Sequence, residues 1–168
     1  MNHPLPIPEK HDGALGGPMS VSVWLRLLSC TMAIEKQVQR GLAGTFGTTL
    51  PRFDVLAALE RRRDGMTMGE LSRALLVSNG NVTGLVRGLA ADGLVEVEPL
   101  PSDRRATRVR LTDKGAAAFE TMATAHHGWI ETLLAGLDAG DRRALHDSLG
   151  RLKLSLSHAP RIGTADGP

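Results

Sequence analysis

The sequence predicts a mainly α-helical protein carrying one small β-hairpin. Three observations predict it. Apolar residues recur at the helical period along most of the chain from Met19 to Leu156. That period gives way to alternation only between Leu94 and Leu111. Capping residues and breakers then divide the helical part into separate segments.

The first helix is expected from Met19 to Leu42. Val21, Trp24, Leu25, Leu28 and Met32 make one apolar stripe, and Leu27, Ile34 and Val38 a neighbouring one. An arc that wide is suited to burial against more than one partner. Residues 1–18, with four prolines and little apolar periodicity, read as a mobile tail. The segment GTFGTTLP (44–51) is expected to break the helix, with Pro51 opening the next and Asp54 in its favourable first turn. Phe53, Leu56, Ala57 and Leu59 form the apolar part of that helix, and Arg61 to Gly65 a polar stop.

Thr67-Met68-Gly69-Glu70 is a capping box, followed by Leu71, Ala74 and Leu75 on a helix of about two turns. After a tight turn at Val77, Ser78 is placed to cap a helix from Asn79 to about Ala91, with Val82, Leu85, Val86 and Leu89 inward. Asp92-Gly93 ends it, the glycine taking a left-handed cap. Leu94 to Glu98 alternate as a strand, Pro99 and Pro101 open a polar loop (101–106), and Thr107, Val109 and Leu111 alternate as the returning strand. Thr112 begins another helix through Phe119, Met122, Trp129, Ile130 and Leu133. A break at Ala139-Gly140 precedes a last helix from Asp141 through Leu145, Leu149, Leu152 and Leu156, and 158–168 is again tail-like.

Composition excludes several classes. No stretch approaches the roughly 20 apolar residues of a membrane helix, and the first residues do not read as a signal peptide. The single cysteine, Cys30, allows no intramolecular disulfide framework, so a reducing, cytoplasmic setting is expected. Net charge is only +2, although sixteen of the 20 basic residues are arginine, the side chain suited to phosphate and base edges. There is no Gly-rich phosphate loop, no H-E-x-x-H and no nucleophile elbow, so an enzyme is not expected, and no cofactor.

Two short helices around a tight turn, followed by an arginine-tipped hairpin, have the order of a winged helix-turn-helix. A helical pair alone is equally well read as an ordinary soluble pair; the hairpin tips the reading toward double-stranded DNA. The second helix turns Asn79, Gly80, Asn81, Thr83, Gly84 and Arg87 outward. Asparagine matches adenine, arginine guanine and the threonine methyl thymine, while glycines let the backbone approach the groove. Ser78 and the helix N-terminus suit a phosphate. Arg104 and Arg105 suit a narrow minor groove, with Asp103 orienting Arg105 through a salt bridge.

The stretch TMGELSRALLVSNGNVTGLVRGLAADGLVEVEPLPSDRRATRVRLTDKG resembles the MarR family of regulators. The resemblance lies in Leu71 to Leu75, Val82 to Val86, Gly93-Leu94-Val95, Asp103-Arg104-Arg105 and Leu111-Thr112-x-x-Gly115. Gly88 departs from it, standing where such sequences often carry a charge, and a loosening of the helix by about 1 kcal/mol relative to alanine is expected. The resemblance implies a homodimer in which 19–50 and 113–157 form the dimerisation helices around a DNA-binding lobe at 51–112. It also implies a repressor on a pseudo-palindromic operator, released by a small effector, an aromatic acid or aromatic acyl-CoA, held near Trp24, Leu28, Phe53 and Trp129. Arg40, Arg52 and the 61–63 run are available for CoA phosphates, although a solvated helix end accounts for that run more simply.

Other readings remain open. Cys30 is expected to be buried and structural, a peroxide sensor being its alternative. His126, His127 and Glu131, with His146, are weighed as zinc ligands and set aside for want of a second cluster. A DNA binder without an effector, and an interaction module that no longer binds DNA, complete the alternatives.

Overall fold

A computed structural model describes residues 18–100 and 103–159; of Asn79 and residues 103–106 only the backbone is described. Six helices and three strands follow in the order α1 (Met19–Phe46), α2 (Leu50–Glu60), β1 (Met66–Thr67), α3 (Met68–Leu75), α4 (Asn79–Ala91), β2 (Val95–Leu100), β3 (Asp103–Leu111), α5 (Asp113–Leu133) and α6 (Ala139–His158). The chain divides into one unit ending at Ile130 and a second beginning at Glu131. The mainly helical fold with a small antiparallel sheet is the one the periodicity predicts.

α1 runs past Leu42 to Phe46, so Gly44 does not break it. A mid-helix glycine costs only about 1 kcal/mol, and the stop falls at Gly47, whose φ of 62° gives the left-handed cap. Phe46 packs against Trp129, with ring centroids 6.3 Å apart. Gly41 permits this closeness: a Cβ there would lie 2.8 Å from the indole ring. α1 buries only Leu25, Val38 and Leu42. Val21, Trp24 and Met32 are exposed, and so is Cys30, against the expectation of a buried thiol. The register that turns Leu25, Val38 and Leu42 toward the core carries Cys30 to another side of the helix.

α2 starts as expected around Pro51, and the amide of Leu50 donates to Gln39 Oε1 at 2.8 Å. Asp54 falls beyond the first turn and is half-buried, so it does not serve the helix dipole. Burial, and then Glu35, push its carboxyl above the usual range. Phe53, Val55, Leu56 and Leu59 of α2 enter the core with Leu71, Val82, Val86, Leu89, Val109 and Met122.

The sheet has the order β1-β3-β2, all antiparallel. β1 is too short to carry a period-2 signal and is not legible in the sequence. Thr67 serves twice, pairing with Arg108 in β1 and capping α3. Prolines were expected to end the first wing strand before residue 99, yet β2 continues through Pro99 to Leu100. The missing N–H is tolerable because β2 is an edge strand, and the register shifts immediately after Pro99. Asp103, Arg104 and Arg105, expected in a loop, belong to β3, with Asp103 opposite Leu100.

In the second unit, Ala139-Gly140 is the start of α6, not a break. Asp138 caps it by accepting the amide of Asp141 at 2.8 Å. Arg142 closes the preceding turn, donating to the carbonyls of Leu137 (3.1 Å) and Leu134 (3.0 Å) and to Glu131 Oε2 (2.6 Å). Those carbonyls are what a helix end leaves unsatisfied. α6 itself buries no residue. Among the described residues, no helix is long and apolar enough to cross a membrane.

Candidate nucleic-acid interface

α3 and α4 form the helix-turn-helix. The capping box is complete: Glu70 N–H donates to Thr67 Oγ1 at 3.3 Å, and Thr67 N–H to Glu70 Oε2 at 2.8 Å. The Thr67 amide and hydroxyl, with Arg62, hold the Glu70 carboxyl below the usual range. α3 ends at Leu76, in the left-handed region at φ 55° and 92% exposed. It is the only non-glycine residue at positive φ among those described, a feature that periodicity does not reveal.

Ser78 stands at the N-cap of α4, but its side chain makes no capping bond. Its carbonyl accepts the amides of Asn81 (3.1 Å) and Val82 (3.3 Å). The hydroxyl therefore does not cap the helix as expected, and the residue is exposed. Val82, Val86 and Leu89 are buried, which turns Gly80, Asn81, Thr83, Gly84 and Arg87 outward, all exposed. At Gly80 and Gly84 a Cβ would meet nothing within 4 Å. Packing within the chain does not require glycine at either position, and an outward backbone is left bare for close approach. The side chain of Asn79 lies outside the described ones.

The wing carries cross-strand charge. Arg110 reaches Glu96 Oε1 at 3.2 Å through Nε and Glu98 Oε1 at 3.1 Å through Nη2, so two carboxylates offset this arginine. Arg104, Arg105 and the expected Asp103–Arg105 salt bridge lie at the hairpin end, and their side chains are outside those described. Gly65, at φ 86°, lets the chain pass beneath β3: a Cβ would lie 2.7 Å from the Val109 carbonyl oxygen.

The far end of α4 is fastened by contacts the sequence reading missed. Gly93 takes the left-handed cap at φ 70°, as expected. Thr112 N–H donates to Leu94 O (3.1 Å), Thr112 Oγ1 to Gly93 O (2.8 Å) and Lys114 Nζ to Asp92 O (2.7 Å). Thr112 Oγ1 also accepts the amide of Gly115 at 2.9 Å, capping α5. Asp92 pairs with Arg52 of α2. No short motif links residues 40 apart in the chain, so only tertiary structure brings this last pair together.

The four residues expected around an effector occupy different settings. Phe53 is buried, stacked with Phe119 (5.5 Å between centroids) and His126 (4.9 Å). Trp129 lies over Gly41 and Phe46, Leu28 is half-buried, and Trp24 is 59% exposed. Desolvation, then His127, lowers the pKa of His126. A hollow of about 370 Å³ beside this region is lined by Phe46, Thr48, Arg52, Leu94 and Met122, among others. Arg61, Arg62 and Arg63 are exposed at the end of α2, where Arg62 pairs with Glu70 and Arg63 with Glu60. Among the described residues no group of three or more His, Cys, Asp or Glu is placed to hold a metal.

A capped short helix, an outward-facing Asn/Thr/Arg helix and a β-hairpin built onto one core define a winged helix-turn-helix DNA-binding regulator. The MarR family model matches residues 46–106. BadR of Rhodopseudomonas palustris, a transcriptional activatory protein, is 34% identical over 116 residues, covering 67% of this chain and 66% of BadR. The chain thus spans just under two thirds of that relative. A MarR family transcriptional regulator from Silicibacter pomeroyi has a crystal structure 32% identical in sequence, with a TM-score of 0.72 over 82% of this chain and 95% of that one. Bordetella bronchiseptica BpsR, whose DNA binding is regulated by 6-hydroxynicotinic acid, is 25% identical, with a TM-score of 0.68 over 80% of this chain and 98% of its own. The chain belongs to the MarR family of transcriptional regulators.

Proposed function

We propose that the chain is a homodimeric, effector-released repressor that reads a pseudo-palindromic operator through α4 and the wing. The observation that carries DNA reading is the outward row Gly80, Asn81, Thr83, Gly84 and Arg87 over a buried Val82, Val86 and Leu89. Ser78 and Asn79 at the start of α4 meet a phosphate, and Arg104 and Arg105, the second oriented by Asp103, enter the minor groove. Two apolar faces support the homodimer: Val21, Trp24 and Met32 on α1, and Leu145, Leu149, Leu152 and Leu156 on α6, all exposed in the single chain. A two-fold dimer presents two α4 helices about one DNA turn apart.

The effector is a small aromatic acid, the class to which BpsR responds. Its proposed seat is the aromatic region of Trp24, Leu28, Phe53 and Trp129. Differential binding is required, and a hundredfold preference for the released state supplies about 2.7 kcal/mol. The test is operator affinity at fixed salt, with and without 6-hydroxynicotinic and benzoic acids. Affinity that no aromatic acid moves would leave a DNA binder without such an effector. BadR is named as an activator, so a reporter fused to the operator decides the sign. Arg87→Ala should weaken binding by about 1–3 kcal/mol and relax one base position; unchanged retention of DNA would overturn the α4 reading.

A further inference from the structure

Gly88 has a use that helix propensity does not suggest. A Cβ on it would lie 2.8 Å from Arg52 Nη1, so the glycine leaves a notch in α4 that the guanidinium of α2 fills. From that notch Arg52 pairs with Asp92, the residue that ends α4. A carboxylate at a helix C-terminus has the unfavourable sign for the dipole. Here two cations offset it, Arg52 on the side chain and Lys114 on the carbonyl. The side chain of Arg52 is 22% exposed and that of Asp92 58%, an exposure at which an ion pair contributes little to stability. Its value is positional: the guanidinium of α2 lies against Gly88 and donates one N–H to Asp92, touching α4 at two points one turn apart.

We propose that Arg52 is a positioning residue for DNA reading: seated in the Gly88 notch and paired with Asp92, it sets the angle at which α4 is presented. This rests on α4 being the recognition helix. Arg52 need not touch DNA. It holds the far end of the helix whose near end carries Asn81, Thr83 and Arg87, and a small pivot there displaces every base contact.

The test compares wild-type full chain with Arg52→Ala, Arg52→Lys, Asp92→Asn and Gly88→Ala. The probes are a duplex selected by wild type from a randomised pool and a random-sequence duplex, at one salt concentration, with thermal midpoints measured in parallel. Arg52→Ala is decisive because it removes the guanidinium outright, whereas Gly88→Ala improves helix propensity and only crowds a terminal nitrogen that can give way. Arg52→Ala should bind the selected duplex about tenfold more weakly, the order of losing one good base contact, without a comparable fall in thermal midpoint or in random-sequence binding. Asp92→Asn should show the same split, with Arg52→Lys restoring part of the loss and Gly88→Ala falling between Arg52→Ala and wild type. Selected-site binding by Arg52→Ala equal to wild type overturns the inference, as does a loss paralleled by random-sequence binding and by melting. If Arg52→Ala does not fold, Asp92→Asn decides by the same split. A wild-type chain that selects no duplex overturns the α4 reading, and this inference with it.

Discussion

α2 and α6 both carry apolar residues at the helical period, yet they behave oppositely in the folded chain. α2, 11 residues long, buries Phe53, Val55, Leu56 and Leu59. α6, 20 residues long and carrying Leu145, Leu149, Leu152, Leu154 and Leu156, buries none. The difference teaches that apolar periodicity states only that a face will be covered, not by what. The unit ending at Ile130 closes its own core, with Met122 the last buried apolar side chain in the sequence among the described residues. The unit beginning at Glu131 has one apolar face and no layer of its own to put against it. Most of a helix's stability in a protein comes from packing its apolar face rather than from propensity, which is the physical argument for the partner chain proposed above.

The largest expected effect breaks that comparison at α6. Leu149→Asp with Leu152→Asp removes two leucines per chain, hence four across a two-fold interface. Each is worth about 1.5–3 kcal/mol when buried. Sedimentation should show a dimer becoming a monomer, while the melting of the DNA-binding lobe remains cooperative. A double variant that stays dimeric would place the interface elsewhere.

The next effect lies in the lobe. A Cβ on Gly115 would lie 1.9 Å from the Leu94 carbonyl oxygen, a backbone atom that cannot rotate away. Gly115→Ala should therefore cost about 3 kcal/mol, the upper part of the usual range for overpacking. A lower urea midpoint would report it, with dimerisation through α6 retained if the two regions are as independent as their burial suggests. A midpoint equal to wild type would show that the first turn of α5 can shift away from Leu94.

This lobe was largely legible because its signals are local. The capping box at Thr67, the left-handed Gly93 and the Val82–Leu89 stripe each act within one helix or turn, where residue type and geometry are tightly linked. The extent of α1 was less legible, since Gly44 and Gly47 look alike in sequence and only the second stands at positive φ. β1 has two residues, too few for any period. In the candidate site, the outward row of α4 follows from the same periodicity that locates the core. Arg52 on Gly88, Arg110 between two glutamates and the stitching of Lys114 to Asp92 do not. Those contacts join distant stretches of chain, and no spacing rule anticipates them. Cys30 illustrates the same limit: a thiol among apolar residues read as buried, but burial depends on which side of α1 the lobe occupies.

A smaller effect tests how far the start of the helix-turn-helix depends on its cap. Thr67→Ala should lower lobe stability by about 1 kcal/mol. The Glu70 carboxyl is held below the usual value of 4.5 by Thr67 and then Arg62. Its contribution is therefore present above that pH and is lost as pH falls through the lowered folded value. Wild type should lose this part of its stability in acid, and Glu70→Gln should lose it at every pH. Equal acid sensitivity in wild type and Glu70→Gln would remove the carboxylate from the account.

The smallest expected effect sharpens the contrast between an enclosed and an open unit. His126 lies on α5 stacked on Phe53, and burial, followed by the neighbouring His127, lowers its pKa below the ordinary 6.5. Above pH 6.5 the imidazole is neutral in both folded and unfolded chains, and it adds no pH dependence. Below that pH the unfolded chain takes up a proton that the folded chain resists, so the lobe should lose stability on acidification until the folded imidazole also protonates. Melting from pH 7.5 down to about 5.5, a range bracketing the unperturbed histidine value, should show a gradual fall in the lobe's midpoint. His126→Phe keeps an aromatic ring against Phe53 and removes the titrating group, and its midpoint should fall less. If wild type and His126→Phe acidify along the same curve, the stack with Phe53 does not exclude water well enough to matter, and this part of the lobe is more open than its core.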